Sequence, residues 1–168
     1  EQALSAGASP NATDDGGKPA ITIAVEAGNR EVVRALAEHG ANVEARRNDD
    51  DVTLVWIAAA RGHAEAVRVL AEHGANVETP TNDGATPVFA AAQNGHMEVV
   101  RVLAELGANV KTPKKDGGTP VFIAAQEGRV EVVRVLGELG ASVETPTGAD
   151  NGTQSGATPV WVAAENGH

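Results

Sequence analysis

Apolar residues return along this chain in two alternating patterns. Short runs such as Pro87-Val88-Phe89-Ala90-Ala91-Ala92 and Pro120-Val121-Phe122-Ile123-Ala124-Ala125 contain no charged residue. Each is followed by a stretch with apolar residues at i, i+3, i+4 and i+7, as in Val99, Val100, Val102, Leu103 and Leu106. That spacing gathers the side chains on one stripe of a helix. The stripe is wide, as suits a helix packed on a partner and on neighbours to either side. Thr53, Thr86, Thr119 and Thr158 stand before the short runs, where a hydroxyl can accept a free N–H of the first helical turn. Pro87, Pro120 and Pro159 follow, at a position where proline forfeits no needed donor. Gly62, Gly95, Gly128 and Gly167 end the first helices, and Gly40, Gly74, Gly107 and Gly140 end the second ones. Glycine is favoured there because the closing residue turns left-handed. First helices are predicted over about 20–27, 54–61, 87–94, 120–127 and 159–166, and second helices over about 31–39, 64–73, 97–106 and 130–139.

These helix pairs are copies of one another. Gly28, Gly62, Gly95, Gly128 and Gly167 are spaced 34, 33, 33 and 39 apart, and Gly7, Gly40, Gly74, Gly107 and Gly140 are spaced 33, 34, 33 and 33. Residues 83–115, DGATPVFAAAQNGHMEVVRVLAELGANVKTPKK, are written again from Asp116 as DGGTPVFIAAQEGRVEVVRVLGELGASVETPT. A period of this length marks a repeat architecture. The shared pattern, TPV(F/W)xAA…GH…EVVRVL…GAN, resembles the ankyrin repeat over essentially the whole chain. The resemblance implies an all-α, ankyrin-type solenoid of stacked helix-turn-helix units with hairpin-like connecting loops. Residues 1–15 read as the end of one unit, with 16–48, 49–82, 83–115 and 116–154 as full units and 155–168 as the first half of another. On that reading the chain is a piece, or the ordered part, of a longer array.

The copies differ in ways that matter. Pro19-Ala20 replaces the threonine cap of the first unit, which weakens it, and Gly137 stands where Ala37, Ala71 and Ala104 stand. The loop ETPTGADNGTQSGATP gains six residues, and its glycine and polar content predicts a mobile tip. All four aromatic residues, Trp56, Phe89, Phe122 and Trp161, share one repeat position. The family usually has histidine there, in Thr-Pro-Leu-His, so the hydrogen bonds credited to that histidine cannot form. The column reads either as an exposed ladder for a ligand or, more simply, as packing between adjacent units.

Charge and candidate chemistry narrow the function. The 168 residues carry 23 acidic against 13 basic side chains, a net charge of −10. That argues against a nucleic-acid or anionic-membrane surface, since both need a basic face. Aromatics are only 2% of the chain, so alanine, valine and leucine must fill the core. Without cysteine there is neither a disulfide framework nor a thiolate metal site. No run of 18 apolar residues offers a membrane span, and the expected setting is intracellular and cytoplasmic.

His63, His96 and His168 share one repeat position and His39 and His73 another. Stacked helices lie about 8–10 Å apart, too far for equivalent histidines to share a zinc ion at about 2.0–2.1 Å. Gly-His-x-Glu is therefore read as a structural turn. Nucleophile-elbow, phosphate-loop and dinucleotide signatures are absent, so neither an enzyme nor a cofactor or metal is expected. Asn11-Ala12-Thr13 and Asn151-Gly152-Thr153 match the glycosylation pattern, which matters only in a secreted chain.

Glu31, Arg34 and Glu38 recur as Glu65, Arg68 and Glu72, then Glu98, Arg101 and Glu105, then Glu131, Arg134 and Glu138. At i,i+3 and i,i+4 each arginine is expected to bridge two carboxylates of its own helix on a solvated convex face. The family resemblance implies a protein partner held on a concave face built from loop tips and the exposed ends of first helices. Mapped here, those positions are Arg61, Asn82, Asp83, Ala85, Gln93 and Asn94, then Lys114, Lys115, Asp116, Gly118, Gln126 and Glu127, and finally Glu165 and Asn166. Lys111, Lys114 and Lys115 crowd one central loop, and Arg46 and Arg47 lie on another beside Asp49, Asp50 and Asp51. These cations are either solvated tips or contacts for an acidic patch on the partner. The alternative function is a structural subunit or linker buried within a large assembly.

Overall fold

The structure, a computed structural model, describes residues 7–46, 52–144 and 156–168. Arg47, Asp49, Asp50, Asp51, Asn151 and nearly all of the lengthened loop lie outside the described residues. Among the described residues nine helices form: α1 (Ala20–Glu26), α2 (Arg30–Glu38), α3 (Leu54–Ala60), α4 (Ala64–Glu72), α5 (Pro87–Asn94), α6 (Met97–Glu105), α7 (Pro120–Gln126), α8 (Val130–Glu138) and α9 (Pro159–Glu165). Each boundary falls within a residue of its sequence prediction. The connecting loops contribute isolated antiparallel bridges, Thr13 to Pro19 and Arg46 to Thr53.

Local chemistry sets the helix starts. Thr53, Thr86, Thr119 and Thr158 accept the N–H of Trp56, Phe89, Phe122 and Trp161, at 3.2–3.3 Å. Pro19 gives α1 no side-chain cap, whereas Asn29 caps α2 by accepting from Val32 N. The helices then stack in two layers: α1, α3, α5, α7 and α9 in one, and α2, α4, α6 and α8 in the other. Leu70, Leu103, Leu136, Val67 and Val100 are fully buried between the layers, in one continuous apolar core. Cutting such a leucine back to alanine costs about 2–5 kcal/mol.

Neighbouring helix pairs are stitched at three levels. At the first, a ring lies on the glycine one pair earlier. A Cβ at Gly62 would meet the His96 ring at 2.7 Å, and one at Gly28 would meet the His63 ring at 2.5 Å. Both glycines have positive φ, so backbone conformation and contact alike exclude a side chain. His96 Nε2 donates to Ala60 O at 3.1 Å and His63 Nε2 to Glu26 O at 3.3 Å. Arg129 takes the histidine's place over Gly95 and donates from Nε to Gln93 O at 3.1 Å. His39 and His73 instead donate from Nδ1 to Ala35 O and Val69 O within their own helix ends.

At the second level, loop acceptors reach one pair onward. Asn11 Oδ1 accepts from Asn42 N at 2.9 Å, Glu44 Oε1 accepts from Asn76 N at 2.6 Å, and the Glu78 carboxylate accepts from Asn109 N. Lys111 follows Glu78 by 33 residues at the equivalent position, and an ammonium has no lone pair to offer.

The third level corrects a sequence expectation. Arg34, Arg68 and Arg101 reach forward to the next second helix, pairing with Glu72, Glu105 and Glu138 at 3.0, 2.8 and 3.3 Å. Within one helix the ladder arginines make a weaker Glu65–Arg68 contact at 3.7 Å and a Glu131–Arg134 pair at 3.3 Å, and Arg30 pairs with Glu31 at 2.7 Å. The arginines therefore tie neighbours together, though exposed pairs of this kind contribute only about 0–1 kcal/mol each.

Candidate partner-binding face

Equivalent first-helix ends lie side by side along the stack. Gln93 and Asn94 close α5, Gln126 closes α7 with Glu127 after it, and Glu165 closes α9 with Asn166 after it, all exposed. Arg61 follows α3 and donates to Glu26 O at 3.0 Å. Asn94 Nδ2 donates back to Ala90 O at 2.9 Å, and Asn166 Nδ2 donates to Gln126 O at 3.2 Å. Arg61, Asn94 and Asn166 are thus held in place, and Gln93, Gln126, Glu127 and Glu165 are exposed alongside them.

Two four-residue turns form the described central tips. In one, Thr81 N donates to Ala85 O and Gly84 N to Thr81 O; in the other, Lys114 N donates to Gly118 O and Gly117 N to Lys114 O. The tips also touch one another, because Lys115 N donates to Asp83 O at 3.1 Å. Lys114 Nζ lies 2.8 Å from Asp83 Oδ2, 3.6 Å from Asp116 Oδ2 and 5.2 Å from the centre of the Phe89 ring. Its side chain is only 19% exposed. The hydrogen bond from Lys114, helped by that from the Thr81 hydroxyl, lowers the Asp83 carboxyl to about 2. In return the hydrogen bond to Asp83 raises Lys114 above its ordinary value.

The family model described as ankyrin repeats, three copies, matches residues 1–81 and again residues 76–147. The chain belongs to the ankyrin repeat family. No curated protein matches it. Ankyrin repeats are in general protein–protein interaction modules on a non-enzymatic fold. Among the described residues no helix is long and apolar enough to cross a membrane.

The ankyrin stack brings most of the expected contact positions together and separates a few. Asn82, Asp83 and Lys115 are exposed at the tips; Asp116 and Gly118 are half-buried. Ala85 is a correction: it is 6% exposed, held under its own turn as its O accepts from Thr81 N and its N–H donates to the Thr81 hydroxyl. Lys114 is another, since the expected free loop cation is already paired. Two side chains absent from the expected set are exposed in the same region. Arg129 occupies the histidine column with a charged group, a departure visible in the sequence, and Trp161 is 46% exposed. The aromatic column is otherwise graded: Phe89 is buried at 6% beneath the next tip, and Trp56 and Phe122 are half-buried. Packing describes Phe89, and exposure describes Trp161.

Proposed function

We propose that this ankyrin array is a scaffold that binds a partner protein along the face formed by its first-helix ends and loop tips, and that it catalyses nothing itself. The observation that supports this most is the row Gln93, Asn94, Gln126, Glu127, Glu165 and Asn166, exposed at the ends of three adjacent helices of the stack. Amide and carboxylate side chains on a fixed framework offer directional hydrogen bonds without reorganisation of the backbone. The opposite layer is chemically quieter, since Glu72, Glu105 and Glu138 are occupied by arginines of the array itself.

The test is affinity capture from the native source with matched variants. Gln93→Arg with Gln126→Arg alters the row, and Glu38→Arg with Glu98→Arg alters the second-helix layer. Loss of a captured protein with the first pair and retention with the second is the expected result. The reverse pattern would overturn the assignment and favour a subunit buried in an assembly through its other surfaces. That second reading draws on Val130 and Val160, exposed beside an apolar groove of about 380 Å³ that Val133 and Ala163 also line.

A further inference from the structure

The three described tip turns use the same position in two different ways. Asp14, Thr81 and Lys114 are equivalent, because each accepts from the glycine three residues on and donates to the carbonyl four residues on. Asp14 serves its own turn: its Oδ1 accepts from Gly16 N and Lys18 N at 2.9 Å. Thr81 does likewise, with its hydroxyl accepting from Ala85 N at 3.1 Å. Lys114 has no acceptor and cannot. Asp116 takes over that task, accepting from Gly118 N at 2.9 Å, and the lysine stem is released to cross to the preceding tip. There it meets a carboxylate and the face of a buried ring together, in a largely covered position where a cation gains more from both than in open water.

We propose that Lys114 is a positioning residue of the recognition face: it clasps the tips 81–85 and 114–118 into one wall, and leaves Lys115 as the cation that this wall turns outward. The proposal rests on the partner-binding reading for its significance, but the clasp itself is a property of the free protein. Asp83 is its other half. The charged groups facing the Asp83 carboxylate are Lys114 and, across it, Asp116, and the Thr81 hydroxyl donates to it. An acidic site on a partner would therefore find Lys115, while Lys114 fixes the spacing between Lys115 and Asn82. Lys114→Ala and Lys115→Ala should then weaken binding for different reasons, the first by loosening the wall and the second by removing a contact.

The experiment compares Lys114→Met with Lys115→Gln in the full chain. Each removes one positive charge, and methionine keeps an apolar stem on Phe89. The Asp83 carboxyl is titrated by NMR, and exchange of the Lys115 amide, which is bonded to Asp83 O, is followed in the same samples. In Lys114→Met the Asp83 midpoint should rise from about 2 towards the ordinary carboxylate value near 3.8. Exchange of Lys115 N–H should speed about tenfold, as loss of a charged hydrogen bond implies. Lys115→Gln should leave the Asp83 midpoint unchanged, and Lys114→Arg should restore both readouts. An Asp83 midpoint and Lys115 exchange rate in Lys114→Met equal to those of the parent chain would overturn the clasp. A confirmed clasp with no partner on this face would instead refute the partner-binding reading alone.

Discussion

Gly137 offers the sharpest test of how this stack is stabilised. It lies within α8, with Ala37, Ala71 and Ala104 at the equivalent places in α2, α4 and α6. Its φ is not among the positive values, and a Cβ built on it meets nothing within 4 Å. Gly137→Ala therefore adds no clash and no packing, leaving only backbone entropy to change the stability. Helix-interior glycine is worse than alanine by about 0.5–1 kcal/mol, and the position next to the helix end, where turns fray, favours the lower part of that range. In a repeat stack such a gain is felt mainly by the unit that carries it and its neighbours. Amide exchange across residues 130–138 should slow by about two- to fivefold, while residues 64–72 should hardly change. Melting should rise by about 1–4 °C if the array unfolds in one step. The reverse change, Ala104→Gly, should lower stability by at least as much, because that methyl is half-buried. A Gly137→Ala chain that exchanges faster over 130–138, or melts lower, would refute the argument that only chain entropy is at stake.

Other perturbations probe the remaining contacts. Thr86→Ala removes the hydroxyl that accepts from Phe89 N and should cost about 1 kcal/mol in urea unfolding. Lys111→Glu puts a carboxylate at the position of Glu44 and Glu78, and should raise the urea midpoint by an amount equivalent to about 0.5–1 kcal/mol through a new bond to the following loop. The clasp also carries a pH dependence. The Asp83 carboxyl falls from 3.8 to about 2 on folding, so its contribution is fully present above about pH 4 and is lost as pH drops through 2. With the side chain 59% exposed, solvent screening reduces that contribution to about 1 kcal/mol or less, and Asp83→Asn should flatten the stability profile below pH 4.

The helices were legible in the sequence because their ends are written in local chemistry. Threonine starts and glycine stops act over three or four residues, and each recurs several times, so α3, α5, α7 and α9 fell within a residue of prediction. Contacts between units were harder to read. Arg68 has Glu65 and Glu72 close by in sequence, and nothing local says that it reaches Glu105, 37 residues away. Lys114 looked like one of three free loop cations, yet its partner is 31 residues earlier on another tip. The aromatic column was visible as a column, but its exposure was not, since what covers Phe89 is the tip of the following unit, 25 and more residues away. The row from Gln93 to Asn166 was located by repeat register and family resemblance, and Ala85 was misjudged because register alone does not distinguish a tip from the turn beneath it.

The forward pairing of the arginines has a consequence for the length of the molecule. Each of these arginine pairs joins a unit to its immediate neighbour by the same two repeat positions, so that joint records no address along the array. Excising residues 83–115 would bring Arg68 opposite Glu138, Arg129 over Gly62, and Glu78 beneath the loop of Ser142, each a pairing of the kind already present or allowed. A gene for such a chain can therefore lose or duplicate a 33-residue segment in frame and still encode a closed seam, with reach as the inherited variable and the joint unchanged.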